Sequence, residues 1–224
     1  MIVNVDIPEI TQFANGFPRH WMNVFLLGNR PDEYRAHAVV TTYVRVVEGA
    51  FIHYALAREN VNRFWNTHTS IAIGNHNLSS TYFEDCITLM HRAALCMTRI
   101  RGRKATVPAD LKELFPNRPR FTADQVRGRL RRVRDAIQHM DEQVANGEIP
   151  QNTPFQLTAG GPETPVPDQP GQTLKVIDRL TIGDQTVLFT ELVEWLIEMG
   201  QCAETISNYR RSEQQRTFTP ISTE

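Results

Sequence analysis

The sequence predicts an all-α fold, a helical bundle of four to five helices with a small β-hairpin insertion. Four segments of about twenty residues carry apolar side chains at helical spacing. No alternation of strands with helices is visible, which argues against a parallel sheet. Gly183-Asp184 lies between two runs that favour β-structure, so a hairpin is expected at about 174–189. We expect a single domain over residues 1–224.

The first two predicted helices form much of the core. The first begins after Pro31 and covers about 32–62, and the second covers about 81–101. Thr81 and Glu84 match a capping box at the start of the second helix. Their core-facing residues at helical spacing are Val40, Val44, Val47, Phe51 and Tyr54 in the first, and Phe83, Ile87, Met90, Ala94 and Met97 in the second.

The third predicted helix has the most regular pattern in the chain. It covers about 122–146, with Thr122 and Gln125 as a second capping box and Gly147 as a stop. A fourth helix is expected at about 190–211. The apolar residues of these two helices are Val126, Leu130, Val133, Ile137, Met140 and Val144, followed by Leu192, Trp195, Met199, Ala203 and Ile206.

Residues 149–173 contain six prolines and three glycines, which predicts a long loop rather than a helix or a central strand. The N-terminus shows no secretory signal, and polar residues interrupt the longest apolar run, so a cytoplasmic protein without a membrane span is expected. None of the three cysteines has C-x-x-C spacing. Cys86, Cys96 and Cys202 are therefore expected to be reduced core residues.

Charge is unevenly distributed although the net charge is only -1. Residues 99–134 contain twelve Lys or Arg against three Asp or Glu, whereas residues 135–224 contain five against fourteen. A central basic block in a nearly neutral protein suggests a local anionic partner. The alternative is that the two regions neutralise each other across an interface inside the protein.

The third helix carries a candidate site at Arg134 and His139. At 100° per residue these two side chains lie about 140° apart around a straight helix, so they cannot converge on one small group within one chain. A shared site therefore requires a second copy of the helix, or a bend. Asp135 and His139 are four residues apart, so the carboxylate is expected to orient the imidazole. An exposed ion pair on the helix surface is the alternative interpretation.

The stretch from Arg134 to His139 resembles the R-x4-6-H motif of the HEPN superfamily, with a polar residue directly after the arginine. The resemblance implies a dimeric helical bundle in which paired motifs form a cleft. In its active members it implies a ribonuclease that needs no metal or other cofactor, in which the 2′-hydroxyl attacks the adjacent phosphate. His139 would then act as general base or acid, Arg134 would stabilise the phosphorane, and Asp135 would position one of them.

The same resemblance implies an RNA partner, a homodimer, and a toxin or defence role that could involve an antitoxin or another protein. The basic residues Arg127, Arg131 and Arg132 would hold the RNA backbone. Asp141 occupies a position where members controlled by a minimal nucleotidyltransferase often carry tyrosine, which speaks against that form of control. Two other interpretations remain: a non-catalytic HEPN-like interaction module, and a helical nucleic-acid-binding protein without chemistry.

Overall fold

Two long helices form the centre of the fold. The computed structural model describes residues 1–66, 72–102, 109–148, 155–167 and 169–209. Within them, α2 (Tyr34–Asn66) and α3 (Ala72–Ile100) pack side by side along much of their length. Their mostly small and aliphatic buried side chains allow this close approach, and the predicted core residues of both helices are buried.

Shorter helices surround this pair. They are α1 (Pro18–Phe25), α4 (Ala109–Glu113), α5 (Asp124–Gln138), α6 (Met140–Ala145) and α7 (Phe189–Ser207), with a 3₁₀ turn at Arg120–Thr122 before α5. Helices α5 and α7 pack against α3 and α2 and also contact the sheet described below. The buried side chains of helices and sheet form one continuous hydrophobic cluster.

The prediction of an all-α fold is wrong, because the described residues include a mixed sheet of five strands. They are β1 (Ile2–Val5), β2 (Phe155–Ala159), β3 (Thr164–Pro165), β4 (Thr173–Ile182) and β5 (Gln185–Leu188). The predicted hairpin is confirmed as β4 and β5, joined at Gly183, whose φ of 56° suits glycine. Its first strand is the centre of the sheet rather than part of a small insertion.

Strand β4 pairs with every other strand of the sheet. The N-terminal strand β1 lies parallel to it, with Ile2 opposite Leu174. Strands β2, β3 and β5 run antiparallel to it. The description of 149–173 as a loop is therefore wrong where β2 and β3 form. Residues 149–154 and 168 lie outside the described residues.

Both predicted capping boxes are also wrong. Helix α3 already begins at Ala72, so Thr81 is inside it and its hydroxyl donates to the Asn77 carbonyl at 3.3 Å. Thr122 belongs to the 3₁₀ turn and its hydroxyl donates to the Pro119 carbonyl at 2.7 Å. In each case a nearby backbone carbonyl competes for the hydroxyl, as is usual for Ser and Thr.

The N-terminal segment is fastened to α2 by a carboxylate. Glu48 accepts hydrogen bonds from the Phe17 backbone N–H at 3.2 Å and from the Trp21 indole N–H at 3.1 Å. Gly16, with φ of 66°, passes directly over this carboxylate. The absence of a Cβ is required there, both by the backbone conformation and by the close approach.

The three cysteines are free and buried, as predicted.

Within the described residues, no helix combines the length and the apolar character that a bilayer crossing requires. The fourth predicted helix is confirmed as α7, which ends at Ser207. Residues 210 and 211 of that prediction lie outside the described residues.

Candidate functional site

Helix α5, which carries the predicted motif, is fixed along one side by Arg129. Its guanidinium forms an ion pair with Glu191 of α7 and donates to the Thr186 carbonyl of β5 at 2.9 Å. The same group lies 5.8 Å from the centre of the Trp195 ring, within cation–π range. These contacts join α5 to the sheet and to α7. They thereby fix the rotation of α5 about its axis and the direction in which its opposite face points.

The opposite side of α5 carries a line of arginines next to α3. Arg127, Arg131 and Arg134 are spaced by four and three residues, so they lie within about 60° of one another on the helix surface. We call these three residues the α5 arginine line. The α5 arginine line borders the region where α3 and α5 pack against each other, which also contains His91. We call this region the α3–α5 seam.

His91 of α3 is a buried histidine whose electrostatic surroundings include the α5 arginine line. Its exposed fraction is only 6%. Burial lowers its pKa, and the positive charges of the α5 arginine line, that of Arg134 most, lower it further while Asp135 partly opposes them. His91 is therefore neutral at pH 7, and its unprotonated ring nitrogen can accept a hydrogen bond.

Arg134 is held in the seam by its own helix. Its side chain is 24% exposed, and one terminal nitrogen lies 2.9 Å from Asp135 while the other donates to Gln138. The Nε atom is buried and has no hydrogen-bond partner among the described residues. An unsatisfied buried donor costs about 1–3 kcal/mol, which the contacts of the same guanidinium to Asp135 and Gln138 offset in part.

The expected contact between Asp135 and His139 is replaced by contacts to arginines. Asp135 lies 2.9 Å from Arg134 and 3.4 Å from Nε of Arg131. Arg131, Arg134 and His139 are all near enough in sequence to reach Asp135, and a guanidinium offers several charged donors where imidazole offers one. The carboxylate therefore positions Arg134, and the prediction that it orients His139 is wrong.

His139 marks an interruption of the helix. It lies between α5 and α6 with φ of -101° and ψ of 9°, outside helical values. Its side chain is 58% exposed, and Nδ1 lies 3.1 Å from a Glu142 carboxylate oxygen. Arg134 and His139 thus belong to two separate groups of contacts, one in the seam and one at the surface.

The predicted RNA-binding arginines differ in their surroundings. Arg127 lies 3.0 Å from Asp124, and Arg131 is paired with Asp135. Arg132 points away from both the core and the seam and is exposed. The carboxylates of α5 therefore offset part of the positive charge of the α5 arginine line.

Compared with protein-family models, curated proteins and solved structures, the chain matches none of them. Among the described residues, no group of three or more His, Cys, Asp or Glu side chains is arranged to hold a metal ion. The assignment of a function thus depends on the side chains of this chain and on their chemistry.

The sequence-based prediction missed His91. A signal was present, because His91 lies four residues after Ile87 and three before Ala94, at the border of the apolar side of its helix. A histidine at such a border is half in the core and half against a neighbouring element. Which helix it faces depends on how α3 and α5 pack, and spacing within α3 does not contain that information.

Proposed function

We propose that this chain is a HEPN-like endoribonuclease of the toxin or defence type, acting as a homodimer on cytoplasmic RNA without a metal ion. The observation that carries the proposal is Arg134, a half-buried guanidinium that Asp135 and Gln138 hold in the α3–α5 seam, within electrostatic range of His91. A fixed cation beside a neutral imidazole is a suitable arrangement for phosphoryl transfer, which needs charge stabilisation and proton transfer.

The reaction would be an attack of the ribose 2′-oxygen on the adjacent phosphorus. A base takes the 2′-hydroxyl proton, the bond from phosphorus to the 5′-oxygen breaks, and an acid returns a proton to that oxygen. The products are a 2′,3′-cyclic phosphate and a 5′-hydroxyl. Arg134 would stabilise the extra negative charge of the phosphorane, and Asp135 would keep the guanidinium in place.

Among the described residues, two imidazoles lie at the candidate site. His91 shares the seam with Arg134 in the same chain, and its neutral imidazole could accept a hydrogen bond from the 2′-hydroxyl. His139 is exposed at the helix interruption and would be supplied by the second copy. A two-fold pairing of α5 helices would place one Arg134 and one His139 in each of two equivalent sites.

The experiment that tests this proposal is cleavage of a fluorophore–quencher RNA by the purified protein in EDTA. Wild type should cleave and leave a 2′,3′-cyclic phosphate, identified by mass spectrometry. Arg134→Ala and His139→Ala should each lose at least about 100-fold in rate. Arg63→Ala, which removes only an exposed ion pair of α2, serves as the control and should cleave normally.

The proposal fails if wild type cleaves no RNA at any pH between about 5 and 9, the range in which histidines exchange protons. It also fails if cleavage persists in both site variants. An antitoxin would be expected to bind over this surface and suppress the activity.

A non-catalytic dimeric interaction or RNA-binding module is the second candidate. It is favoured by the separation of the two motif residues, since Asp135 pairs with Arg134 while Glu142 pairs with His139. This alternative expects dimerisation, and RNA binding that His139→Ala leaves unchanged. Sedimentation together with the cleavage assay distinguishes the two candidates.

A further inference from the structure

The outward face of α3 is basic over its second half. From Cys86 to Ile100 the helix contains Arg92 and Arg99 but no Asp or Glu. These two arginines are seven residues apart, so they point the same way and lie about 10 Å apart along the helix axis. Both are exposed, as is Leu95 between them, which is 38% exposed.

Helix α2 adds a third arginine to this face. The two helices run in opposite directions, because His53 lies 3.2 Å from Asp85 and a Cβ on Gly49 would lie 3.1 Å from Leu89. Continuing this register places Arg45 level with residue 93 of α3.

The electrostatics around Cys96 agree with this placement. Burial raises the pKa of the Cys96 thiol, and the charges of Arg99, Arg92 and Arg45 oppose that rise. All three guanidinium groups therefore act on the same neighbourhood. We call Arg45, Arg92 and Arg99 the arginine track.

The arginine track adjoins the candidate site. His91 precedes Arg92 directly, and about 100° of rotation around α3 separates the seam from the track. The charges of the arginine track are not balanced by carboxylates of its own helices. In α5, Asp124 and Asp135 offset the arginines, whereas α2 contains no carboxylate from Tyr34 to Val47. Glu48, the first acidic residue of α2, bonds the N-terminal segment instead. Repulsion among unbalanced charges costs stability, so an anionic ligand is the better explanation for the arginine track.

We propose that the arginine track binds the phosphodiester backbone of single-stranded RNA and leads it into the α3–α5 seam; this inference rests on the proposed function. RNA suits the surface better than a membrane does. Leu95 is the one exposed large apolar side chain beside Arg92 and Arg99 among the described residues, and a membrane-binding helix needs a broad apolar face. Arginines in a line, by contrast, match a chain of phosphates.

The test is fluorescence anisotropy with a 2′-O-methylated RNA of about 20 nucleotides, which can bind but has no free 2′-hydroxyl to react. The variants are Arg92→Gln/Arg99→Gln, the charge-conserving Arg92→Lys/Arg99→Lys, and Arg63→Gln as a matched exposed control. Glutamine and lysine are good helix formers, so the fold should be retained, which circular dichroism will show.

We expect the double glutamine variant to bind about tenfold more weakly than wild type in low salt. Its plot of log K against log salt should be less steep by about 1.4, which corresponds to two lost phosphate contacts on a single strand. The double lysine variant should keep the wild-type slope, and Arg63→Gln should match wild type in both measurements.

Three binding results would overturn the inference: unchanged RNA binding in the double glutamine variant, no RNA binding by wild type, or wild-type binding to phosphatidylserine vesicles in preference to RNA. Because the methylated RNA cannot be cleaved, the result is independent of catalysis. A protein that binds through the track but cleaves nothing contradicts the proposed reaction alone. A protein that cleaves normally with the track neutralised contradicts only the track.

Discussion

Asp135 lies 2.9 Å from Arg134 and thereby holds the central cation of the candidate site, while His139 pairs with Glu142. Asp135→Asn should therefore weaken catalysis through Arg134. Removing the carboxylate also raises the local positive charge, so KM for RNA should fall while kcat falls about 10- to 100-fold. Steady-state kinetics measure both quantities, and Asp135→Glu should recover part of kcat. A rise in KM with kcat unchanged would contradict this positioning role.

Mixing two inactive variants tests whether the site is shared between copies. A dimer of one Arg134→Ala chain and one His139→Ala chain keeps one intact site, because the functional Arg134 and His139 come from different chains. Random exchange of equal amounts should restore about a quarter of wild-type activity, since half of the dimers are mixed and each has one of two sites. If the mixture stays inactive although subunits exchange, the composite site is excluded.

The stability of the protein should fall as the pH drops below about 6.5 because of His20. This residue is 3% exposed, and burial, with a smaller contribution from His37, lowers its pKa to about 4. The unfolded chain then binds more protons than the folded one between pH 4 and 6.5, so unfolding is favoured as the pH falls through that range.

Urea denaturation at several pH values measures this effect. We expect a loss of about 2 kcal/mol from His20 between neutral pH and about pH 4. His37 and His91, whose pKa values burial also lowers, add to it with the same sign. His20→Gln should flatten the dependence, and an equally steep profile in that variant would show that His20 is not responsible.

Gly16→Ala should destabilise the fold through Glu48. A Cβ at this position would lie 1.9 Å from a Glu48 carboxylate oxygen, so the carboxylate would have to leave Phe17 and Trp21. Gly28→Ala is the matched control, since Gly28 also has positive φ but a Cβ there would meet none of the described residues within 4 Å.

For these two glycine variants we expect a loss of about 1 kcal/mol at Gly28, from backbone strain alone, and of about 3 kcal/mol at Gly16. The difference in thermal unfolding between them measures the contribution of the carboxylate clamp. Equal losses would mean that the clamp adds nothing to stability.

The helices were predictable because their apolar periodicity is a local property. The positions of Val40, Val44 and Val47 on α2 are enough to predict a buried helix. The sheet was not predictable in this way, because β1 is four residues long and pairs with β4 at Leu174, far along the chain. Short strands obtain their stability from partners, and nothing in four residues identifies a partner so distant.

In the candidate site, too, the local features were predictable from the sequence and the tertiary contacts were not. Arg134, Asp135 and His139 were found as neighbours on one helix, which sequence spacing describes well. Which arginine or histidine pairs with Asp135 is decided by competition among several nearby donors. The position of His91 in the seam is decided by the packing of α3 against α5. Competition between contacts and packing between helices are tertiary properties that a helical wheel leaves undetermined.

Strand β4 also has a consequence for the order in which the molecule can be assembled. The first residues of the chain find their parallel partner only after residues 174–177 have been synthesised. Helices α2 and α3, whose contacts are close in sequence, can pair well before that, whereas distant strand pairing is slow. Since Arg129 fastens α5 to Glu191, this contact to the α3–α5 seam forms only once α7 has emerged from the ribosome. The site proposed above for RNA cleavage would therefore be completed only after synthesis had passed that point.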